Sequence, residues 1–437
     1  MTGDLSVLNY IVVIILCAFT AFLSHMGMAV FHDGLRPVIP EYIEGRMKRS
    51  ELGSVAFGLS VGFIASVGIA HTLATGLLNP WLLFLTTDIL GIISPKKWIA
   101  PLLGGVWGAL TLSALGFINT ALTGLPVNFI GAMGEISNPV VSCFALFPLL
   151  AIFMQFHAKK GIIATVATFA VRIVLVRFTT LSADAMEMFV GIVFLIAFAI
   201  MEDRKRSGQE NSGDGLDTNV FSERTARIRK NAVFLMIGGA LIAVACNIRI
   251  FGGSEVSIYT LAKAYKSADP AVASGLIHQA ALAEFMRALG FIPLIATTAI
   301  TTGVYGVAGF TFVYCVGYLM PNPIFAAIGG AAVILLEVLL LGLVGKFLGK
   351  FPSIRDASDN IRTAMTTVME FALIIGSINA VVKMGGYTGF FIAAMIYFIN
   401  ELTGKRIMKM AIGPVAAIAT GIILNLLYYV GLFAPVK

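Results

Sequence analysis

The sequence predicts an all-α polytopic membrane protein with about 14 transmembrane or re-entrant helices in two inverted-topology halves. Three observations predict it. Hydrophobic residues make up 58% of the chain and charged residues 12%, with mean hydropathy +0.92, whereas a soluble domain is about 25% charged. Apolar stretches of about 20 residues recur, each long enough to cross about 30 Å of hydrocarbon at about 1.5 Å per residue. The most polar stretch, residues 202–230, contains Ser-Gly-Gln-Glu-Asn-Ser-Gly-Asp-Gly near the midpoint of the 437 residues and follows an odd number of spans. The second set of spans therefore starts on the opposite side of the membrane.

Lipid demands that every backbone N–H and C=O be paired within a segment or in a closed barrel. The runs 11–23, 143–154 and 324–336 are apolar on nearly every face, so they read as helices and not as alternating barrel strands. Spans are expected near 7–30, 53–78, 80–94, 98–122, 138–157, 161–178 and 184–201, then near 231–251, 271–298, 301–320, 323–345, 363–382, 386–400 and 409–433. This gives a first transmembrane half at 1–201, a charged cytoplasmic linker at 202–230 and a second half at 231–437. The first span is expected to be retained and not cleaved, because residues 1–6 lack the basic residues of a signal peptide.

Orientation follows from the basic residues. With both termini outside, Arg36, Arg46, Lys48, Arg49, Lys96, Lys97, Lys159, Lys160, Arg204, Arg206 and most of the remaining Lys and Arg collect on one side, which the positive-inside rule makes the cytoplasm of a bacterial inner membrane. The net charge of +7 is thereby assigned to topology and not to nucleic-acid binding. Cys17, Cys143, Cys246 and Cys315 lie scattered in apolar segments and read as small buried hydrophobes; no metal site, disulfide or cofactor is expected. The segment 33–51 is amphipathic, with Leu35, Val38, Ile39, Tyr42, Ile43 and Met47 opposite a charged set, and is expected on the cytoplasmic surface.

Local similarities support a repeat. In each half the first span is followed by about twenty mixed residues and then by a Gly/Ala-rich span, which carries a histidine (His71, His278) and a Gly-Phe-Ile step (Gly62-Phe63-Ile64, Gly290-Phe291-Ile292).

A charge at mid-membrane costs about 2.5–3.5 kcal/mol on insertion scales, so polar residues inside spans are functional candidates. The sharpest interruption is Gly134-Glu135-Ile136-Ser137-Asn138-Pro139, preceded by Asn128. Pro139 lacks an N–H, and Ser137 or Asn138 offers a cap for a new helix whose N-terminus would face a mid-membrane solute; an ordinary external loop is the competing reading. Its counterpart is 363–379, with Thr367, Glu370, Ser377 and Asn379, of which Glu370 and Ser377 share a helical face. These eight residues form the expected substrate site. Coupling or gating roles are assigned to His71, Asp88, Arg172, His278, Glu284, Arg287 and Glu337. Glu284 and Arg287 form an i,i+3 pair that eases mutual burial, and Arg172, with no acid within a turn, needs a cross-helix partner or an anionic ligand. A structural role, as an interior histidine or a neutral or edge carboxyl, competes for His71, Asp88 and Glu337.

At Phe31-His32-Asp33-Gly34-Leu35-Arg36-Pro37-Val38-Ile39-Pro40-Glu41-Tyr42 and Glu44-Gly45-Arg46-Met47-Lys48-Arg49-Ser50-Glu51-Leu52 the chain resembles the YhfT family of bacterial transport-like proteins, and the resemblance runs its full length. That family resembles, more remotely, the membrane components of ascorbate- and galactitol-type sugar phosphotransferase systems. The resemblance implies a multispan inner-membrane carrier that forms a homodimer and engages a small cytoplasmic partner protein. It brings no site residues with it.

No Walker loop, Gly-x-Ser-x-Gly or His-Glu-x-x-His motif and no catalytic soluble domain is present. The expected function is a secondary carrier moving a small polar or anionic solute across the bilayer by alternating access, and not an enzyme. A membrane-embedded enzyme acting on a lipid-linked substrate, the membrane subunit of a phosphotransferase-like system, and a channel are the alternatives.

Overall fold

The protein is described by a computed structural model covering residues 6–179, 183–207 and 218–435. It is an all-α polytopic membrane protein. The chain begins with α1 (Val7–His25), β1 (Ala29–Val30), α2 (Ile39–Ile43) and α3 (Arg49–Phe63), which passes through a π turn (Ile64–Gly68) into α4 (Ile69–Thr75). α5 (Pro80–Ile93), α6 (Ile99–Thr123) and α7 (Phe129–Met133) follow; a 3-10 turn (Gly134–Ile136) leads into α8 (Ser137–Phe144), α9 (Phe147–Phe178) and α10 (Ala183–Ser207). Beyond the midpoint come α11 (Thr218–Lys230), α12 (Ala232–Asn247), α13 (Ile258–Lys266), α14 (Pro270–Thr302), β2 (Tyr305–Gly306), α15 (Phe312–Leu319), α16 (Pro323–Lys350), α17 (Pro352–Leu402) and α18 (Lys409–Tyr429). Among the described residues, eight helices are long and apolar enough to cross a membrane, or nine if the bent pair Glu223–Lys230 and Ala232–Asn247 is one span. Their outer faces carry exposed Leu102, Phe117, Phe169, Ile173, Leu336, Leu343, Phe391 and Phe398, which water would penalise and lipid does not.

An Asx-Pro step opens the long apolar helices α14 and α16 and the shorter apolar α5. Asn79, Asp269 and Asn322 accept hydrogen bonds from the backbone of Leu82, Ala271 and Ile324 at 3.0, 2.8 and 3.1 Å, while the following proline spares one amide from needing a partner. Two of the long helices are broken. At His157 (φ 64°) and at Gly385–Gly386 (φ 55° at Gly386) the backbone leaves the helical region. Beyond each break Gly161 lies against the Phe153 ring and Gly389 against the Val381 carbonyl. Residues eight apart would be about 12 Å apart along a straight helix, so the chain bends back, and the expected pairs 138–157/161–178 and 363–382/386–400 are separate segments.

Three expectations need correction. Residues 301–320 do not form a spanning helix: they comprise the end of α14, a link with positive φ at Gly303, Gly309 and Thr311, and the eight-residue α15. The linker is helical on both flanks, with 208–217 outside the described residues, and α11 docks against the core. There Arg227 donates to the Gly27 carbonyl at 3.1 Å, Arg224 donates to the Thr301 carbonyl, and Ile228 is buried. In the segment 33–51, Leu35 and Ile39 face inward and residues 43–46 and 48 are exposed, as an amphipathic surface segment requires, but Arg36 leaves the charged outer set and is buried.

Four irregular links meet inside the bundle: 26–38 after α1, 76–79 after α4, 248–257 after α12 and 303–311 after α14. β1 pairs in parallel with β2, and Leu78 pairs in parallel with Phe251. The two joins share a hydrogen-bond pattern. Tyr305 N–H donates to Met28 O at 3.1 Å, as Leu78 N–H donates to Ile250 O at 3.0 Å. α1 and α12 both end through a left-handed residue, Gly27 (φ 61°) and Arg249 (φ 62°), after which Met28 and Ile250 donate to Leu23 and Ala245. α4 and α14 end alike as well. The Thr75 and Thr302 hydroxyls each donate to the carbonyl four residues back at 2.6 Å and accept from the amide two residues on at 3.2 Å. Counting back from Gly76 and Gly303, the Gly-Phe-Ile steps stand in matching places, because the π turn absorbs the one extra residue of the first half. His71 and His278 do not match: His71 is buried near the end of α4 and His278 is exposed near the start of α14.

Close packing recurs in the same way. A methyl at Gly91 would strike the Ala21 carbonyl and one at Gly317 the Ala243 carbonyl; at Gly104 it would meet Cys17 O and at Gly330 Gly239 O. Small residues let helix backbones touch where lipid removes the hydrophobic drive for association. Gly104→Leu and Gly330→Leu should each lower the stability of the detergent-purified protein by about 1–3 kcal/mol or more, measured as thermal loss of the monodisperse peak, with Gly134→Ala, whose added carbon meets nothing within 4 Å, near neutral. Sensitivity in one half alone would contradict the matched packing.

Candidate functional site

Irregular backbone inside a bundle leaves amides that need acceptors. Buried carboxylates supply them. Asp88 on α5 accepts from Phe31 N at 2.8 Å, His32 N at 3.0 Å and Ser24 Oγ at 2.6 Å. Glu284 on α14 accepts from Ser254 N at 2.8 Å and from the Ser254 and Ser257 hydroxyls at 2.6 Å each. Glu337 on α16 accepts from Phe310 N at 2.8 Å and Tyr305 OH at 2.9 Å. Three of the four links are thus each anchored by one helix-borne carboxylate. His32 and Ser254 correspond, each lying five residues past the left-handed residue that ends the preceding helix.

Arg287 is paired, but not with its helical neighbour. Its Nε meets Glu255 at 3.2 Å, its Nη1 reaches the Thr311 hydroxyl at 3.4 Å, and its guanidinium lies 4.1 Å from the Phe291 ring centroid. This corrects the expected Glu284–Arg287 pair: Glu284 turns to the link serines, and the counter-charge comes from the 248–257 link. Trp81 Nε1 donates to the other oxygen of Glu255 at 3.2 Å. His71 shares a 2.8 Å hydrogen bond with Tyr259 OH through Nδ1, while its buried Nε2 has no partner. Glu284 Oε2, Glu337 Oε1, Tyr314 OH, and Arg36 Nε and Nη1 are likewise buried without a partner. These orphaned carboxylate, guanidinium, phenol and imidazole atoms lie around the crossing of the links, while other orphaned polar atoms lie elsewhere, on Trp107, Gln155, Thr168, Ser377 and Thr420 among them.

The expected substrate residues are divided between the α7–α8 region and α17. The fifth- and twelfth-span regions do pack, with Gly376 of α17 against the Ile136 backbone. However, Asn128, Asn138, Thr367 and Asn379 are exposed, and Glu370 is only half-buried. The capping expectation also changes. Asn128 caps α7, accepting from Gly131 N at 2.9 Å, while Asn138 lies inside α8 and Pro139 fits within its first turn. The Ser137 side chain lies outside the described residues. Glu135 forms an ion pair with Lys383, and Ser377 is buried with a hydroxyl that lacks a partner. Arg172 finds cross-helix partners, Asp184 at 2.6 Å and Glu187 at 2.5 Å, and His278 donates to Ser274 O at 2.8 Å on an exposed face. A cavity of about 30 Å³ between Ser24, His25, Tyr42 and Arg49 has room for a water or two and not for a solute.

Sequence reasoning passed over Glu255, Arg36, Tyr259 and Tyr305. The signal for Glu255 was present: Gly252-Gly253-Ser254-Glu255 interrupts apolar sequence as Gly134–Pro139 does.

The profile of the YhfT family, described as a protein of unknown function, matches residues 9–433, and the chain belongs to that family. It is 56% identical over 430 residues, 98% of this chain and 99% of the other, to "Uncharacterized protein YhfT" of Escherichia coli (strain K12). No solved structure matches it.

Removing one partner of a buried ion pair strands the other charge. Glu255→Ala should cost about 3–5 kcal/mol of stability, and adding Arg287→Met should recover part of that loss. Thermal unfolding of the two single variants and the double variant checks this; additive losses would show that the pair is not energetically coupled.

Proposed function

We propose that this YhfT-family chain is a secondary carrier of the bacterial inner membrane, moving a small polar or anionic solute by alternating access and catalysing no reaction. In this reading the chain comprises two inverted halves of seven spanning or re-entrant segments each. Both termini are outside and the segment carrying α11 is cytoplasmic. The observation that carries it is the crossing of four irregular links, joined by two matching backbone pairings and surrounded by buried polar groups that the fold leaves unpartnered. Broken segments contributed by two oppositely oriented repeats are how carriers expose backbone and side-chain polarity to a solute at mid-membrane while shielding it from lipid.

The recurring helix ends, the paired glycine contacts and the reciprocal packing of Gly62 on Met408 and Gly290 on Ile192 support the repeat. Each half's third helix leans on the last helix of the other half, so a rocking motion of one half must move the links of both. The carboxylates Asp88, Glu284 and Glu337 hold link amides in this reading, and His71 with Tyr259 supplies the group with a free nitrogen toward the interior.

Proteoliposomes loaded with an isotopically labelled extract of small metabolites should release at least one labelled solute in exchange for unlabelled extract outside, at unchanged mass, and Asp88→Ala should reduce the exchange by about tenfold or more if losing the link's acceptor costs at least about 1.4 kcal/mol. Exchange that needs no protein, or a released compound of altered mass, would overturn the carrier reading, the latter in favour of an enzyme acting within the membrane.

A further inference from the structure

The crossing contains the same acid–arginine device twice, complete in one link and incomplete in the other. Glu255 and Asp33 correspond, each standing six residues past the left-handed residue that ends the preceding helix, Arg249 and Gly27. Glu255 and Arg287 form a sealed pair, their side chains 0% and 6% exposed. Asp33 and Arg36 approach to 2.8 Å, but here only the arginine is enclosed: its side chain is 3% exposed and that of Asp33 24%.

The contact is also poorly made. Asp33 Oδ1 accepts no aligned hydrogen bond, and Arg36 Nε and Nη1 have no acceptor. A guanidinium carries five donors in a rigid plane, suited to a carboxylate or phosphate and costly to bury unpaired. Asp33 can turn to solvent, whereas Arg36 cannot, since β2 passes beside it. A side-chain carbon at Gly306 would lie 2.8 Å from Nη2, so glycine there admits the guanidinium.

We propose that Arg36 coordinates the anionic group of the solute, a carboxylate or phosphate whose oxygens take the guanidinium as Asp33 swings to water. The site deepens the carrier reading by naming the solute's chemistry and rests on that reading for its purpose. The binding itself is measurable without transport.

The test uses the full-length protein in detergent at constant ionic strength, with inorganic phosphate and succinate as probes and glucose as the neutral control, read by calorimetry and thermal shift. At least one oxyanion should bind and raise the melting temperature while glucose does not; phosphate alone would indicate a phosphorylated solute and succinate alone a carboxylate. Arg36→Gln should weaken that binding by about tenfold or more, with partial retention in Arg36→Lys, as expected for loss of a bidentate charged contact. Asp33→Asn, which keeps the arginine and removes its competitor, should tighten binding by about threefold or more, and it serves as the decisive arm if Arg36→Gln fails to fold. Absence of binding by both oxyanions, equal binding by Arg36→Gln, or no gain in Asp33→Asn would overturn the proposal. Binding that follows these variants in a protein that exchanges no solute in proteoliposomes would leave the anion site standing and remove the carrier reading.

Discussion

Hydrocarbon offers no hydrogen bonds, and every backbone group that leaves a helix inside the bundle must be satisfied by the protein itself. Four links leave helical structure in the same region of this chain, and the arrangement around them follows from that requirement. Two parallel strand contacts pair part of the backbone; Asp88, Glu284 and Glu337 take the amides that the strands cannot reach. The Thr75 and Thr302 hydroxyls close the helix ends locally. These groups are polar because the backbone they serve is irregular, which explains why ionisable residues persist deep in so apolar a chain.

The same requirement couples the two parts of the molecule. β1 comes from the first part and β2 from the second, as do Leu78 and Phe251, so neither part can satisfy its own links alone. α11 reinforces the join by placing Arg227 on the Gly27 carbonyl and Arg224 on the Thr301 carbonyl, two helix ends that flank the β1–β2 contact. Asp203 at the end of α10 similarly accepts from the Ser353 hydroxyl at 2.6 Å, at the start of α17. A charged linker thus becomes an ordered brace wherever it meets exposed carbonyls, consistent with cations favouring the C-terminal ends of helices.

Hydropathy made the membrane class and most helical segments legible, and the breaks near His157 and Gly385–Gly386 were visible as polar or glycine interruptions. It misread 303–311, Gly-Val-Tyr-Gly-Val-Ala-Gly-Phe-Thr, because an apolar irregular link buried in protein has the composition of a helix. Arg36 was counted with the cytoplasmic charges because side-chain type does not reveal whether a strand will pass over it. The adjacency of Glu284 and Arg287 suggested a pair, yet Ser254 and Ser257 from another segment claimed the glutamate, a contact that helical spacing cannot foresee. The polar cluster at Gly134–Pro139 was the most conspicuous interruption in the sequence. There the chain is interrupted by a 3-10 turn at Gly134–Ile136, with Asn128 capping the preceding α7 and Pro139 in the first turn of α8, where helices tolerate proline.

The proposed carrier requires the two halves to run in opposite directions through the membrane, so that matching links cross. The turn before α3 and the turn before α14 then lie on opposite sides. In a Cys143→Ser background, whose other cysteines are buried, Lys48→Cys and Ala268→Cys place one exposed thiol in each turn. A membrane-impermeant maleimide applied to intact spheroplasts should label Ala268→Cys at once and Lys48→Cys only after permeabilisation. Labelling of both from the same side would contradict the account.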